Sequence, residues 1–94
     1  MCKNATAVTL IDDALVRVTR FDFGVGHQTG WHRHEYDYVI TAITDCHMCL
    51  ENQDGTTTHV TVLSGSAYRR EAGVEHNVIN EGEKSMSFVE VELK

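Results

Sequence analysis

The sequence contains no proline. Its turns therefore fall to Gly, Asn, Asp and Ser. No apolar run approaches the roughly 18 residues that a membrane-spanning helix needs. No long apolar segment follows Lys3 either, so the first residues do not read as an export signal and a cytoplasmic location is expected. Positive charge is scarce: eight Lys and Arg stand against 14 Asp and Glu, a formal net charge of −6. That balance repels phosphate backbones and anionic lipid surfaces, which argues against nucleic-acid and membrane partners. Cysteine occurs only at Cys2, Cys46 and Cys49. An odd count without an export signal does not read as a disulfide framework. Cys46 and Cys49 have C-x-x-C spacing, but no helix opens there as a thioredoxin-like redox motif requires. On a strand they would point to opposite faces, with Cys49 read as a small core residue.

Also missing is any helical window of useful length. What fills the 94 residues instead is a succession of short segments rich in β-branched and aromatic residues, with 41% apolar content. That length allows one domain with one core, spanning residues 1–94. Strands are expected over Ala5–Ile11, Ala14–Phe23, Trp31–Thr44 with a break near Glu35, His47–Asn52, Thr57–Leu63, Ala67–Glu71, Glu75–Asn80 and Ser85–Lys94. The second places Val16 and Val18 on one face and Arg17, Thr19, Phe21 and Phe23 on the other. The last alternates Ser87, Val89, Val91 and Leu93 against Met86, Glu90, Glu92 and Lys94, the pattern of a half-buried strand. Many short strands at regular spacing predict an all-β sandwich or barrel.

The stretch Gly30-Trp31-His32-Arg33-His34-Glu35-Tyr36-Asp37-Tyr38 carries the chemistry. Residues i and i+2 of a strand share a face, so His32 and His34 project two imidazoles into one space. Two ligands do not close a metal site, and His76 is the best candidate for a third. If the strand stays regular, Tyr36, Tyr38, Ile40 and Ala42 share the histidine face, while Glu35 and Asp37 point away. Tyr68 and Arg70 share a face of their own strand. If that face looks inward, Arg70 could hold a substrate carboxylate; otherwise it is a solvated edge residue. Trp31 reads as a rim or packing residue, and His27, His47 and His59 as surface or structural histidines.

These residues fall into a pattern. Gly26 is followed by five residues and then His32-Arg33-His34. Gly65 is followed by five residues, Glu71-Ala72-Gly73, two residues, His76, three residues and Asn80. This order resembles the two motifs of the cupins, small antiparallel β-barrels of jelly-roll type, over roughly residues 14 to 93. It is similar to the very short single-domain cupins, some of them grouped with β-alanine degradation. The second motif keeps every spacing and replaces only a proline, by Glu71. The first lacks its glutamate, whose place falls at Tyr38 or Val39, and its closing glycine falls at Asp45.

The resemblance implies one divalent transition metal (Fe, Zn, Ni, Cu or Mn) held by His32, His34 and His76 at about 2.0–2.2 Å. It implies an open position for a small-molecule ligand and chemistry like that of three-histidine dioxygenases. A non-catalytic metal- or ligand-binding cupin is the alternative. Tyr38 could serve as a phenolate ligand, as a hydrogen-bond donor and general acid, or as cavity filler. Tyr36 and Tyr68 are placed with Arg70 as substrate-binding candidates. The short barrel leaves strand edges, so a homodimer is expected through the N-terminal strand and Ser85–Lys94.

Overall fold

The computed structural model describes residues 3–94; Cys2 lies outside them. The described residues form nine strands and no helix: Thr6–Asp12 (β1), Val16–Phe23 (β2), His32–Arg33 (β3), Asp37–Ala42 (β4), Cys46–Asn52 (β5), Thr57–Val62 (β6), Ala67–Arg70 (β7), Glu75–Asn80 (β8) and Met86–Leu93 (β9). Two antiparallel sheets face each other, one in the order β1-β2-β9-β4-β7 and the other β3-β8-β5-β6. This is the jelly-roll barrel expected from the sequence. Between the sheets lies one apolar cluster, including Phe23, Ile40, Met48, Leu50, Met86 and Phe88. The rings of Phe21, Phe23 and Phe88 are close together, with centroids 5.3–6.4 Å apart, a spacing at which tilted aromatic pairs attract.

The stretch Trp31–Thr44 breaks near Glu35 as expected, and its two parts are strands in different sheets. After β3 the backbone of His34 bonds to neither sheet. Its N–H donates to the Val74 carbonyl at 2.9 Å, and its carbonyl accepts from Gly73 N–H at 2.8 Å. The chain then bends at Glu35 and Tyr36 and joins the other sheet as β4. Gly73 makes this possible with φ of +96°, a conformation a side chain would strain. The face parity therefore restarts at Asp37. Tyr38, Ile40 and Ala42 point inward and are buried, whereas Tyr36 sits in the bend.

Asn80, the closing residue of the second motif, is a structural pin. It is 1% exposed. Its amide donates to the carbonyls of Phe23, Gly24 and Lys84 at 3.4, 3.2 and 2.9 Å, and its oxygen accepts from Gly82 N–H at 3.0 Å. One side chain thus satisfies buried backbone groups that no strand ladder serves.

The alternation of β9 takes its direction from the structure: the inward face is Met86, Phe88, Glu90 and Glu92, and the valines Val89 and Val91 point outward. One further expectation changes. In the C-x-x-C pair the cysteines do face opposite ways. Cys46 is the core residue, at 0% exposed, while Cys49 is half-buried on the outer face beside its register partner His59. Burial of Cys46, Met48 and Leu50 sets this parity and turns Cys49 outward.

Candidate metal centre

Three elements bring three histidines together. β3 and β8 pair in a register that sets His32 directly opposite His76, so both project to one face. His34, just past β3, follows two residues after His32 and turns to the same side. His32 Nε2 lies 3.0 Å from His34 Nε2, which lies 3.2 Å from His76 Nε2. The rings stand nearly perpendicular to one another, at 73–88°. Perpendicular rings aim their nitrogens at a point rather than stacking.

The loop before β3 fixes His32. Its Nδ1 lies 2.9 Å from the Gly30 carbonyl and donates to it, which leaves the lone pair on Nε2. Gly30 is held in turn: its N–H donates to Asn77 Oδ1 at 2.9 Å, and its φ of +86° suits glycine. The amide nitrogen of Asn77 donates to Gln28 Oε1 at 2.9 Å and Glu51 Oε1 at 2.7 Å. The residue after His76 therefore aims the ring opposite His76. Neither motif reading nor parity revealed this part of Asn77.

Burial sets the protonation of the ligands. His34 and His76 are 4% and 3% exposed. Desolvation, with the neighbouring His32 charge, lowers their pKa from 6.5 to about 4 and about 3. Both are neutral at pH 7, the state a metal ligand requires. The donor set fits a divalent transition metal. Two nitrogens each about 2.1 Å from one ion, at right angles or slightly wider, stand about 3.0–3.2 Å apart, which is the separation found here.

Tyr38 stacks on the His34 ring, with centroids 3.7 Å apart and planes 16° from parallel. It is 1% exposed, and its hydroxyl makes no hydrogen bond within the described residues. Burial pushes its pKa well above the usual phenol value, against the pull of Arg70. Among the roles left open, this environment favours the neutral hydroxyl over a phenolate. Tyr68, raised to about 12 by burial, lines the same cavity, of about 320 Å³. Arg70 is Tyr38's register partner on β7 and so shares its inward face, yet it does not line the cavity. Tyr36 does not line it either. Trp31 is 56% exposed. Arg69 faces outward and pairs with Asp37 at 3.3 Å.

The cavity holds charges that the sequence reading passed over. Arg17, Glu90 and Glu92 all line it. Arg17 Nε donates to Glu92. Carboxylate oxygens of Glu90 and Glu92 and a ring nitrogen of His34 lie within 4.8 Å of one another. The motif's glutamate place is Tyr38, and Glu92 is Tyr38's direct partner on the neighbouring strand. Carboxylates thus reach the histidines from β9 rather than β4. Burial and the hydrogen bond with Glu92 raise Glu90 to about 8. Burial opposes the charge on Glu92, but hydrogen bonds from Arg17 and Glu90 outweigh it and hold Glu92 below the usual range. The outer face carries a second mixed cluster, Cys49, His59 and Glu81. There His59 Nδ1 sits 2.8 Å from Glu81 in an exposed pair.

Comparison with known proteins gives the family and the fold. Residues 19–92 match the model of the cupin domain family, and the chain belongs to the cupins. It is 44% identical over 90 residues to a Pseudomonas aeruginosa protein named β-alanine degradation protein BauB, covering 96% of this chain and 94% of the relative. A crystal structure of a cupin domain from Bordetella pertussis superposes with a TM-score of 0.95 at 39% identity, covering all of this chain and 97% of that one. An RmlC-like cupin with a double-stranded β-helix fold from Methanocaldococcus jannaschii shares the fold at a TM-score of 0.80 and 16% identity, covering 98% and 82%.

The shifted groups fix how the metal-free chain responds to pH. His34 and His76 take up protons near 6.5 when unfolded but only near 4 and 3 when folded. Their contribution is complete above pH 6.5 and is lost as pH falls toward those values. Glu90 moves the other way, from 4.5 to about 8. Its contribution is complete below 4.5 and is lost as pH rises through about 8. Urea denaturation of metal-stripped protein should therefore give greatest stability near pH 6.5, with lower midpoints at about pH 5 and about pH 8.5. A midpoint that climbs steadily across that range contradicts these environments.

Proposed function

We propose that this chain is a metal-dependent enzyme in which His32, His34 and His76 hold one divalent transition metal. The observation that carries the proposal is the convergence of three Nε2 atoms, 3.0 and 3.2 Å from one to the next, in a buried pocket. Bound there, the metal would supply Lewis acidity and open positions for a small polar or anionic substrate and for dioxygen, as in three-histidine dioxygenases. The chain's own residues do the rest. The Gly30 carbonyl holds the His32 ring in its ligating tautomer. The ring of Tyr38 supports one side of His34, and its hydroxyl is available to donate to a bound group. Phe21, Met48, Val78 and Phe88 exclude water from the inner cavity. The name of the Pseudomonas aeruginosa relative supports a substrate of β-alanine size or a role in its breakdown.

The test is metal analysis of protein purified without oxygen, followed by oxygen uptake with small thiols, diketones and amino acids. One equivalent of metal is expected. His76→Ala should lose it with the barrel intact by circular dichroism, and His59→Ala should keep it. Equal metal in both variants overturns the site. Full metal with no oxygen uptake moves the chain to the non-catalytic binding cupins.

We further propose that the chain works as a homodimer. Every residue of the edge strand β1 is exposed. Register places Ile11, Val18, Val91 and Val39 in one row across the outer face of the five-stranded sheet. A flat apolar row beside an uncovered edge is a surface that a second copy can bury on a two-fold axis. Light scattering at micromolar concentration should give twice the 10.6 kDa chain mass, and Val91→Asp should give the monomer. A monomeric wild-type protein contradicts this.

A further inference from the structure

The wall facing the histidines carries charged side chains besides the three imidazoles. β2, β9 and β4 lie side by side, and register sets their inward side chains in rows. Glu92 stands between Arg17 and Tyr38, and Glu90 between Thr19 and Ile40. Glu90 and Glu92 are each 7% exposed. Glu92 has its cation in Arg17. Glu90 has none: among the described residues it joins no ion pair. Arg17 spends only its Nε on Glu92, and its two Nη groups donate to nothing among the described residues.

A carboxyl group buried at this depth ionises only at a cost, and a ligand bringing a positive hydrogen-bonding group lowers that cost. A half-exposed guanidinium with a free pair of N–H groups presents the fork that a carboxylate fits. Both features open on one cavity of about 320 Å³, the lower end of the range for small-molecule sites. We propose that this cavity binds a short unbranched amino acid as its zwitterion, with the ammonium group on Glu90 and the carboxylate on the Nη groups of Arg17. A lone anion would give Glu90 no cation to ionise against. A lone amine would leave the Arg17 fork unused. The zwitterion satisfies both and carries no net charge out of water. Phe21, Met48 and Phe88 give the cavity apolar walls that suit the methylene chain of an unbranched ligand. This substrate class rests on reading the same cavity as the ligand site of the proposed enzyme.

Calorimetric titration of the metal-loaded protein tests it. The ligands are glycine, 3-aminopropanoate and 4-aminobutanoate, against butanoate and butylamine as single-charge controls. At least one zwitterion should bind about tenfold or more tightly than both controls. Glu90→Gln and Arg17→Gln should each weaken that binding about tenfold or more, with metal content as in the wild type and the barrel intact by circular dichroism. If Glu90→Gln does not fold, Arg17→Gln decides. Binding of butanoate or butylamine as tight as any zwitterion overturns the proposal, as does a folded variant that titrates like the wild type. Metal content measured on the same samples separates the two readings. Full metal with no zwitterion binding sinks this one alone. Wild-type protein that takes up no metal sinks the metal centre, and titration of that protein still decides this proposal.

Discussion

The structure depends on one register: His32 opposite His76 across β3 and β8. A slip of one residue would turn every side chain of β3 to the other face and dissolve the site. With the lone pair of His32 fixed on Nε2 by the Gly30 carbonyl, the facing nitrogens of the three rings need a proton or a metal ion among them. Burial makes an added proton expensive, as the depressed pKa values of His34 and His76 record. A divalent cation meets the same need and gains three neutral donors already in place. The surrounding elements serve that arrangement. Gly73 lets the chain leave β3 for the opposite sheet, Asn77 ties the preceding loop to β8, and Asn80 closes the far end of the same strand.

Part of this was legible in the sequence, and the parts that were not have physical reasons. His32, His34 and His76 were placed by two local rules, same-face spacing on a strand and fixed motif spacing. Neither rule depends on how the sheets are arranged. Tyr36 was misplaced because alternation was extended through Glu35, where the backbone bonds of His34 leave both sheets. For Arg70 the sequence left the face open: it shares Tyr38's inward face at a sheet edge, and the cavity wall is formed by others. Glu90 and Glu92 went unread because alternation alone does not say which face of a strand looks inward. Its true direction is set by neighbours distant in sequence. Arg17 supplies the cation that makes burial of Glu92 tolerable, and the cavity supplies the space beside Glu90. The outward valines are then left for the outer sheet face. Cys49 was misread for the same reason at a smaller scale, since the parity of β5 is anchored by Cys46 in the core.

The missing glutamate of the first motif changes meaning in this light. Tyr38 takes its place as a neutral, deeply buried phenol stacked on His34. Negative charge returns one strand over, in Glu92, but already committed to Arg17. The histidines are therefore the neutral part of the site, and the charges lie on the opposite wall, where a ligand would meet them.

X-ray absorption spectroscopy of the metal-loaded protein tests the central claim most directly, because it reads the atoms around the ion without reference to activity. The account predicts three imidazole nitrogens at about 2.0–2.2 Å, with the outer-shell scattering of the rings and no sulfur. A sulfur neighbour at about 2.3 Å, which would place the ion at Cys49 with His59 and Glu81, or a shell with fewer than two imidazoles, would contradict it.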